Sequence, residues 1–504
     1  MCPLCVKECQ FLCEIGLSAF RGREVLYPTQ VQYGLSTAAS LKNYGLDWSH
    51  FNILSRLRGA EGIKPDPDIA MFNNVNIESK LGGIPLKMPL VNGAFGSTMV
   101  ARANWDGLAA GAALAGILVV IGENICGVDQ DAKYPRGKVV FSKDLESRVK
   151  KFREFWDGKH GGVVVQTNVE DKRGGVDVYA ISKLEVDIIE RKWGQGAKAI
   201  GGEIRVTTLE KALALKERGY VVMPDPEDPA VQRAFKAGFF NSFERHSRVG
   251  MPAERDFIED VEWLREQGAK KVALKTGAYR PSDVAWTMKV ASEAKVDYVT
   301  FDGAGGGTGM SPVSMMNEMS TPTVYLEAQV LKCAQILKKK GCHVPDLSMA
   351  GGFINESQIF KSIAMSNLGG GPLVKAITMA RAPITAVMKS TYFAELAKAK
   401  KLPRDFAEQY GTDPSKFFAT VPELKKKHGK RFGDIPPSAI GLYTYLNDRI
   451  GVGLQQLMAG ARKWKLELIG RDDLVSLSER AKEATGLPTP DKLETDVIEQ
   501  ILAD

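Results

Sequence analysis

Long apolar runs are missing from this chain of 504 residues. No stretch reaches the roughly 18 uninterrupted apolar residues that a membrane-spanning helix needs. The nearest candidate, 108–121, is broken by glycine and reads as a buried helix running into a strand. A large excess of one charge is missing too. The net charge is +7, and the basic runs at 338–340, 398–401 and 425–427 are short and carry no interleaved aromatics. A solvated surface accounts for them better than a nucleic-acid interface. With 44% hydrophobic and 25% charged residues, the composition excludes disordered and fibrous classes. The first residues lack a signal-peptide pattern, so a cytoplasmic enzyme is the expectation.

Cysteine is scarce except in one place. Four of the seven, Cys2, Cys5, Cys9 and Cys13, fall within the first thirteen residues. Spacing this tight suits thiolates converging on a metal centre better than a set of disulfides. An iron–sulfur cluster is the leading reading, zinc the alternative, and unliganded thiols remain open, because the spacing fits neither common ferredoxin pattern nor two separated zinc knuckles. Cys126, Cys333 and Cys342 stand apart and read as ordinary core or surface residues.

Glycine is abundant, with fifty residues gathered into tight motifs. Between them, short apolar runs alternate with helical periodicity. Strands are expected at 88–92, 117–121, 162–167, 184–189, 249–251, 271–275, 297–301 and 347–350. Eight such units point to an α/β (β/α)8 barrel. The expected divisions are an N-terminal extension at 1–87, the barrel at 88–390, and a helical C-terminal extension at 391–504 packed on it. The segment 203–245 reads as an insertion.

In such a barrel the chemistry lies at the C-terminal strand ends, where the last two units often hold a phosphate. One expected strand runs directly into a turn with Gly306, Gly307, Thr308 and Gly309, and another ends in Gly351 and Gly352. A third cluster, with Gly370 and Gly371, is expected to open a short helix whose amides receive the phosphate. Gly93, Ala94, Gly96 and Ser97 follow the first strand and suit a thin wall against a planar ring. Gln166, at the end of the third, joins the cofactor set.

Lys192, Gln195, Lys198 and Arg245 fall on neighbouring loops; each alone reads as an ordinary surface residue, and together they suit a small dianion. Lys275 closes an apolar strand and aims a cation at the mouth. Glu123 also follows a buried strand, where burial would raise its pKa and fit it to act as an acid or amine-binding group; a simple ion pair is the other reading.

These residues, in this order, resemble the FMN-binding synthase domain of the glutamate synthase large-subunit family. The resemblance runs from about residue 88 to 390 and more faintly through 466–474, and is most specific at 306–312 and 195–198. It implies reductive amination of 2-oxoglutarate by ammonia or an amine, giving glutamate or an N-substituted glutamate, as in stand-alone glutamate and N-methylglutamate synthases. Lys192, Gln195, Lys198 and Arg245 would hold the oxo acid, Glu123 the nascent imine, and Lys275 with the glycine turns the FMN. The family's cysteine triad is absent from 377–385, Ala304 replaces a histidine, and Glu203 replaces a glutamine. The resemblance therefore implies an electron path through the N-terminal cysteines, a separate electron-donor subunit, and nitrogen from ammonia, an amine or a separate glutaminase. An oligomer is expected. Two other classes stay open: an FMN barrel acting on another oxo or hydroxy acid, disfavoured because His246 is the only histidine near a candidate loop, and a non-catalytic subunit of a redox complex.

Overall fold

The computed structural model describes residues 19–20, 42–196, 203–307 and 311–503. Eight parallel strands form a closed barrel. They are β1 Leu90–Phe95, β2 Leu118–Ile121, β3 Gly162–Thr167, β4 Ile188–Lys192, β5 Lys271–Thr276, β6 Tyr298–Asp302, β7 Asp346–Ala350 and β8 Val374–Met379. Ile377 of β8 pairs with Leu90 of β1, and Met379 with Asn92, which closes the ring. The principal outer helices are α1 Met99–Ala115, α2 Lys143–Arg153, α3 Val176–Leu184, α4 Glu254–Glu266, α5 Pro281–Glu293, α6 Thr323–Lys339, α7 Glu356–Met365 and α8 Arg381–Lys398.

Alternation along the strands sorts the barrel interior into layers. The lower layer is apolar. Val91, Leu118, Val120, Val164, Ile188, Ala273, Tyr298 and Ala376 pack on Leu81 and Leu86, which come from a hairpin of Ser79–Leu81 with Ile84–Leu86. One step up, Gln166 stands beside Glu190, and Lys275 lies in register with Lys192. Their neighbour Arg191 points outward, where it pairs with Asp177 at 2.7 Å and with Asp260 at 2.7 and 2.9 Å. Removing one side of such a buried pair costs about 3–5 kcal/mol. The pairing ties β4 to α3 and α4 and leaves Glu190 and Lys192 facing inward.

Two expected strands need correction. Residues 249–251 form no strand; Val249 and Met251 are 54% and 92% exposed, so the apolar residues there mark surface. The eighth strand is Val374–Met379, which the sequence reading passed over because the preceding glycines suggested a helix start. The fourth strand starts later than expected, since residue 184 ends α3. The apolar signal covered only its first half, and the rest is Glu190, Arg191 and Lys192. The run 108–121 is indeed helix and then strand.

The insertion between β4 and β5 is a three-stranded antiparallel sheet with Phe243–His246 between Glu203–Val206 and Val221–Met223. Helices Leu209–Glu217 and Pro229–Lys236 cover it, and Val206, Ala212, Leu215, Tyr220, Val222 and Phe243 form its own small core.

After α8 the chain is mainly helical. Helix Pro437–Tyr443 packs against α1 and α8. Gly111 makes the approach to α1 possible, because a Cβ there would lie 2.8 Å from Leu442 Cβ. Strand Leu474–Ser476 pairs with Phe51–Ile53, joining the segments on either side of the barrel.

Candidate active site at the barrel mouth

A cavity of about 590 Å³ opens at the C-terminal ends of the strands. Its floor holds Gly93 and Ala94 from β1 and Lys275 from β5. Asp302 and Gly305–Gly307 follow from β6, then Gly351 and Gly352 after β7, and Ala380 and Arg381 at the start of α8. The glycines are there for space. A Cβ on Gly305 would lie 2.5 Å from the Gly352 nitrogen, and one on Gly351 would lie 2.6 Å from Thr323 Oγ1. Gly351 and Gly352 also have φ of +111° and +86°, a region other residues rarely adopt. Arg381 crosses between the turns, its Nη2 donating to the Gly305 carbonyl at 2.8 Å.

Backbone packed this closely beside the first turn of an 18-residue helix is suited to a phosphate group. Lys275 is buried 3.7 Å from Asp302. A phosphate-bearing flavin fits these residues: the glycine turns and Arg381 at its phosphate, Gly93 and Ala94 against a ring, and Lys275 as the cation beside it.

The expected second phosphate loop lies elsewhere. Gly370 and Gly371 precede the first residue of β8, at the N-terminal end of the barrel, and Pro372, Val374 and Lys375 beside them line a separate hollow there. Their positive φ values turn the chain from α7 into β8. Arg381 and Ala380, beyond the end of β8, occupy the place that was expected of them. Thr308 and Gly309 lie outside the described residues, as do Lys198 and Cys2, Cys5, Cys9 and Cys13. Among the described residues, no group of three or more metal-ligating side chains forms a metal site.

Beside the cavity, the groups expected to hold an acid meet one another. Lys192 Nζ donates to Glu123 Oε1 at 2.7 Å and to Gln195 Oε1 at 2.8 Å. Gln195 also lines the cavity. Its loop is held from behind: the Trp193 nitrogen donates to the Lys275 carbonyl at 2.9 Å, and the Trp193 ring packs on Phe257 and stacks on Trp286. Burial pushes the Glu123 carboxyl up, but the Lys192 charge and hydrogen bond outweigh it and hold the group at about 2. Glu123 is therefore a carboxylate at neutral pH: of the two readings of this residue, the ion pair holds and the raised pKa does not. Gly96 is needed beside it, since a Cβ there would lie 3.1 Å from the Glu123 carbonyl oxygen; Ser97 follows, half-buried.

Two buried carboxyl groups, Glu190 and Asp171, were not expected at the site. Glu190 accepts from Gln166 Nε2 at 2.6 Å. Burial raises its pKa, against the charge of Lys275. Its signal was the alternation Ile188, Glu190, Lys192, which puts a carboxylate one layer beneath a lysine. Asp171 accepts the Asn124 amide at 2.9 Å and the Asn168 amide at 3.3 Å. Burial lifts it to about 7, against those two amides, and the charge of Glu123 raises it further. Asn124 has a φ of +65°, which turns the chain sharply after Glu123.

Arg245 is 1% exposed. Its Nη1 donates to Ser247 Oγ at 2.6 Å, its carbon Cζ lies 4.9 Å from the centre of the Tyr220 ring, and its Nε has no acceptor among the described residues. Burial lowers its pKa, opposed by Tyr220, Glu123 and Asp171.

Several known proteins are similar. Archaeal-type glutamate synthases (NADPH) of Thermotoga maritima and of Thermotoga sp. strain RQ2 are each 28% identical over 218 residues, which is 43% of this chain and 38% of theirs. The match thus spans well under half the length of these relatives. Among solved structures, a soluble mutant of the membrane-associated (S)-mandelate dehydrogenase from Pseudomonas putida is 14% identical with a TM-score of 0.46, over 90% of this chain and 96% of that one. The flavin-binding domain of baker's yeast flavocytochrome b2 is 13% identical with a TM-score of 0.47, over 86% and 78%. Residues 242–380 match the family described as the conserved region in glutamate synthase. That stretch contains Arg245, Lys275, Asp302 and the glycine turns, so part of the cavity lining lies within the matched region.

Proposed function

We propose that this chain is an FMN-dependent oxidoreductase that reduces the imine of 2-oxoglutarate with ammonia or an amine, giving glutamate or an N-substituted glutamate. The observation that carries the reading is Gln195. It lines the glycine-walled cavity beside Lys275 while it also accepts from Lys192, the partner of Glu123. Cofactor and acid-binding groups therefore share one mouth. The glutamate-synthase match over 242–380 supports the same reading.

The balanced reaction has two parts. The keto carbon condenses with the amine and loses water, and the resulting imine gains a hydride at carbon and a proton at nitrogen. FMN in the cradle would supply the hydride. Lys275 would place a positive charge beside the ring system, where added negative charge is stabilised. Lys192, Gln195, Lys198 and Arg245 would hold the two carboxylates of the oxo acid. An incoming carboxylate competes with Glu123 for Lys192. Once released, the Glu123 carboxylate is positioned to accept N–H from the ammonium or imine, as an acceptor and not as an acid. Electrons would come from a separate donor subunit, with Cys2, Cys5, Cys9 and Cys13 as the candidate relay and a separate glutaminase as one source of ammonia.

Purified protein should carry a flavin absorbance that is released as FMN on denaturation. Lys192→Ala and Arg245→Ala should each raise the KM for 2-oxoglutarate at least tenfold. Protein unable to bind FMN would overturn the reading.

A further inference from the structure

Arg245 is a buried cation with few direct partners; the carboxyl groups of Glu123, Asp171 and Glu170 act on it only through space. One hydroxyl and one aromatic face serve the guanidinium directly, and its Nε has no partner among the described residues. Such a group has to be held rigidly if it is to meet a carboxylate. The aromatic face belongs to Tyr220, within the insertion, immediately before its edge strand Val221–Met223.

Tyr220 also reaches the other side of the site. It is 8% exposed, and its hydroxyl lies 3.3 Å from Asn124 Oδ1, one residue beyond Glu123. Asn124 Oδ1 further accepts from Asn168 at 3.3 Å. Two positions away in the insertion, Arg218 Nη1 donates to the carbonyls of Gly127 and Asp129, each at 2.8 Å. The turn after β2 is shaped to receive this clasp, because a Cβ on Gly127 would overlap the Tyr220 hydroxyl. The insertion thus grips the Glu123 turn with Arg218 and the Tyr220 hydroxyl, and carries Arg245 on the same ring.

We propose that Tyr220 is a positioning residue of the acid-binding site, holding Arg245 over its ring and fixing it relative to the Glu123 turn. The inference rests on the reading above that Arg245 takes a carboxylate. It goes further in giving the inserted sheet a function, that of setting where the anion of a dicarboxylic oxo acid is held. The ring does the holding and the hydroxyl aligns it, so the two contributions separate by substitution. A cation over an aromatic face contributes enough for a change of about tenfold in binding.

The test uses the full-length holoprotein with Tyr220→Leu, Tyr220→Phe and Gly127→Ala, each checked for flavin content and thermal melting. Two readouts are taken: the KM and kcat for 2-oxoglutarate, and the rate at which phenylglyoxal modifies Arg245, mapped by mass spectrometry. Tyr220→Leu should raise KM about tenfold while kcat changes less than threefold, and should speed labelling of Arg245 several-fold. Tyr220→Phe should stay close to wild type, and Gly127→Ala, which displaces the hydroxyl while keeping the ring, should lie between. A folded Tyr220→Leu protein with wild-type labelling of Arg245 overturns the positioning role, whether or not the acid is a substrate. Faster labelling with no response of any variant to 2-oxoglutarate keeps the positioning role and overturns the substrate reading instead.

Discussion

Glu123 Oε1 and Lys192 Nζ lie 2.7 Å apart at the mouth of the barrel, and Gln195 shares the same lysine. A carboxylate paired this way is neutralised until an anion takes the lysine from it. Under the proposed reading, binding of an acidic substrate and exposure of an N–H acceptor would be one event. Glu123→Gln should therefore lower kcat at least a hundredfold, and steady-state kinetics with saturating amine would show it. A variant retaining more than a tenth of wild-type kcat removes Glu123 from the reaction.

The same pair sets a pH dependence. The folded pKa of Glu123 is about 2, against an ordinary value of 4.5. The stabilisation is therefore complete above pH 4.5 and is lost as pH falls through about 2. Denaturant melts between pH 2 and 5 should show a smaller acid-side loss in Glu123→Gln than in wild type.

Asp171 works in the opposite direction. Its folded pKa of about 7 lies above the ordinary 3.8, so the folded state keeps a proton that the unfolded chain releases. Stability from this group is full below about pH 3.8 and declines as pH rises towards 7. Asp171→Asn, which keeps an acceptor for the Asn124 amide, should flatten that decline and gain stability relative to wild type between pH 4 and 7. Parallel curves for the two proteins would show that Asp171 does not titrate there.

Glycines at the two ends of the barrel should behave differently. Gly305→Val and Gly351→Val put side chains where Gly352 and Thr323 already stand and should abolish flavin binding. Among the described residues, nothing lies within 4 Å of a Cβ on Gly371, and only Lys338 Nζ, at 3.6 Å, approaches one on Gly370. Gly370→Ala and Gly371→Ala should therefore each cost about 1–3 kcal/mol of backbone strain and leave flavin content unchanged. Flavin content per protein after gel filtration separates these outcomes.

Iron and acid-labile sulfide should track the N-terminal cysteines. Cys5→Ser should lose most of both if Cys2, Cys5, Cys9 and Cys13 hold a cluster, while keeping its FMN. Full iron content in that variant refutes the cluster, and stoichiometric zinc in place of iron assigns the other metal.

How far these features could be read from sequence differs by element. The barrel was legible because short apolar strands alternate with helices, and β3 matches its expected 162–167 limits. Lys275 could be placed because it caps the apolar run Val272, Ala273 and Leu274. β8 was hidden: three glycines before it have a positive φ that serves a bottom turn, and glycine alone does not say at which end of a strand it lies. That omission also concealed Arg381. For Glu123, a raised pKa and an ion pair both stayed open in the sequence, because the partner that decides between them is 69 residues away. Tyr220 gave no local signal, since its partners are Asn124, 96 residues earlier, and Arg245, on the central strand of the insertion.

The central claim is that one mouth joins a flavin to an oxo acid and an amine. Anaerobic turnover with a chemically reduced electron donor, 2-oxoglutarate, and either ammonia or methylamine, with the product identified by mass, tests it most directly. Glutamate or N-methylglutamate should form in step with donor oxidation, and the form with methylamine against ammonia identifies the nitrogen source. FMN-loaded protein that yields neither product, and oxidises no donor when 2-oxoglutarate and amine are added, would contradict the claim.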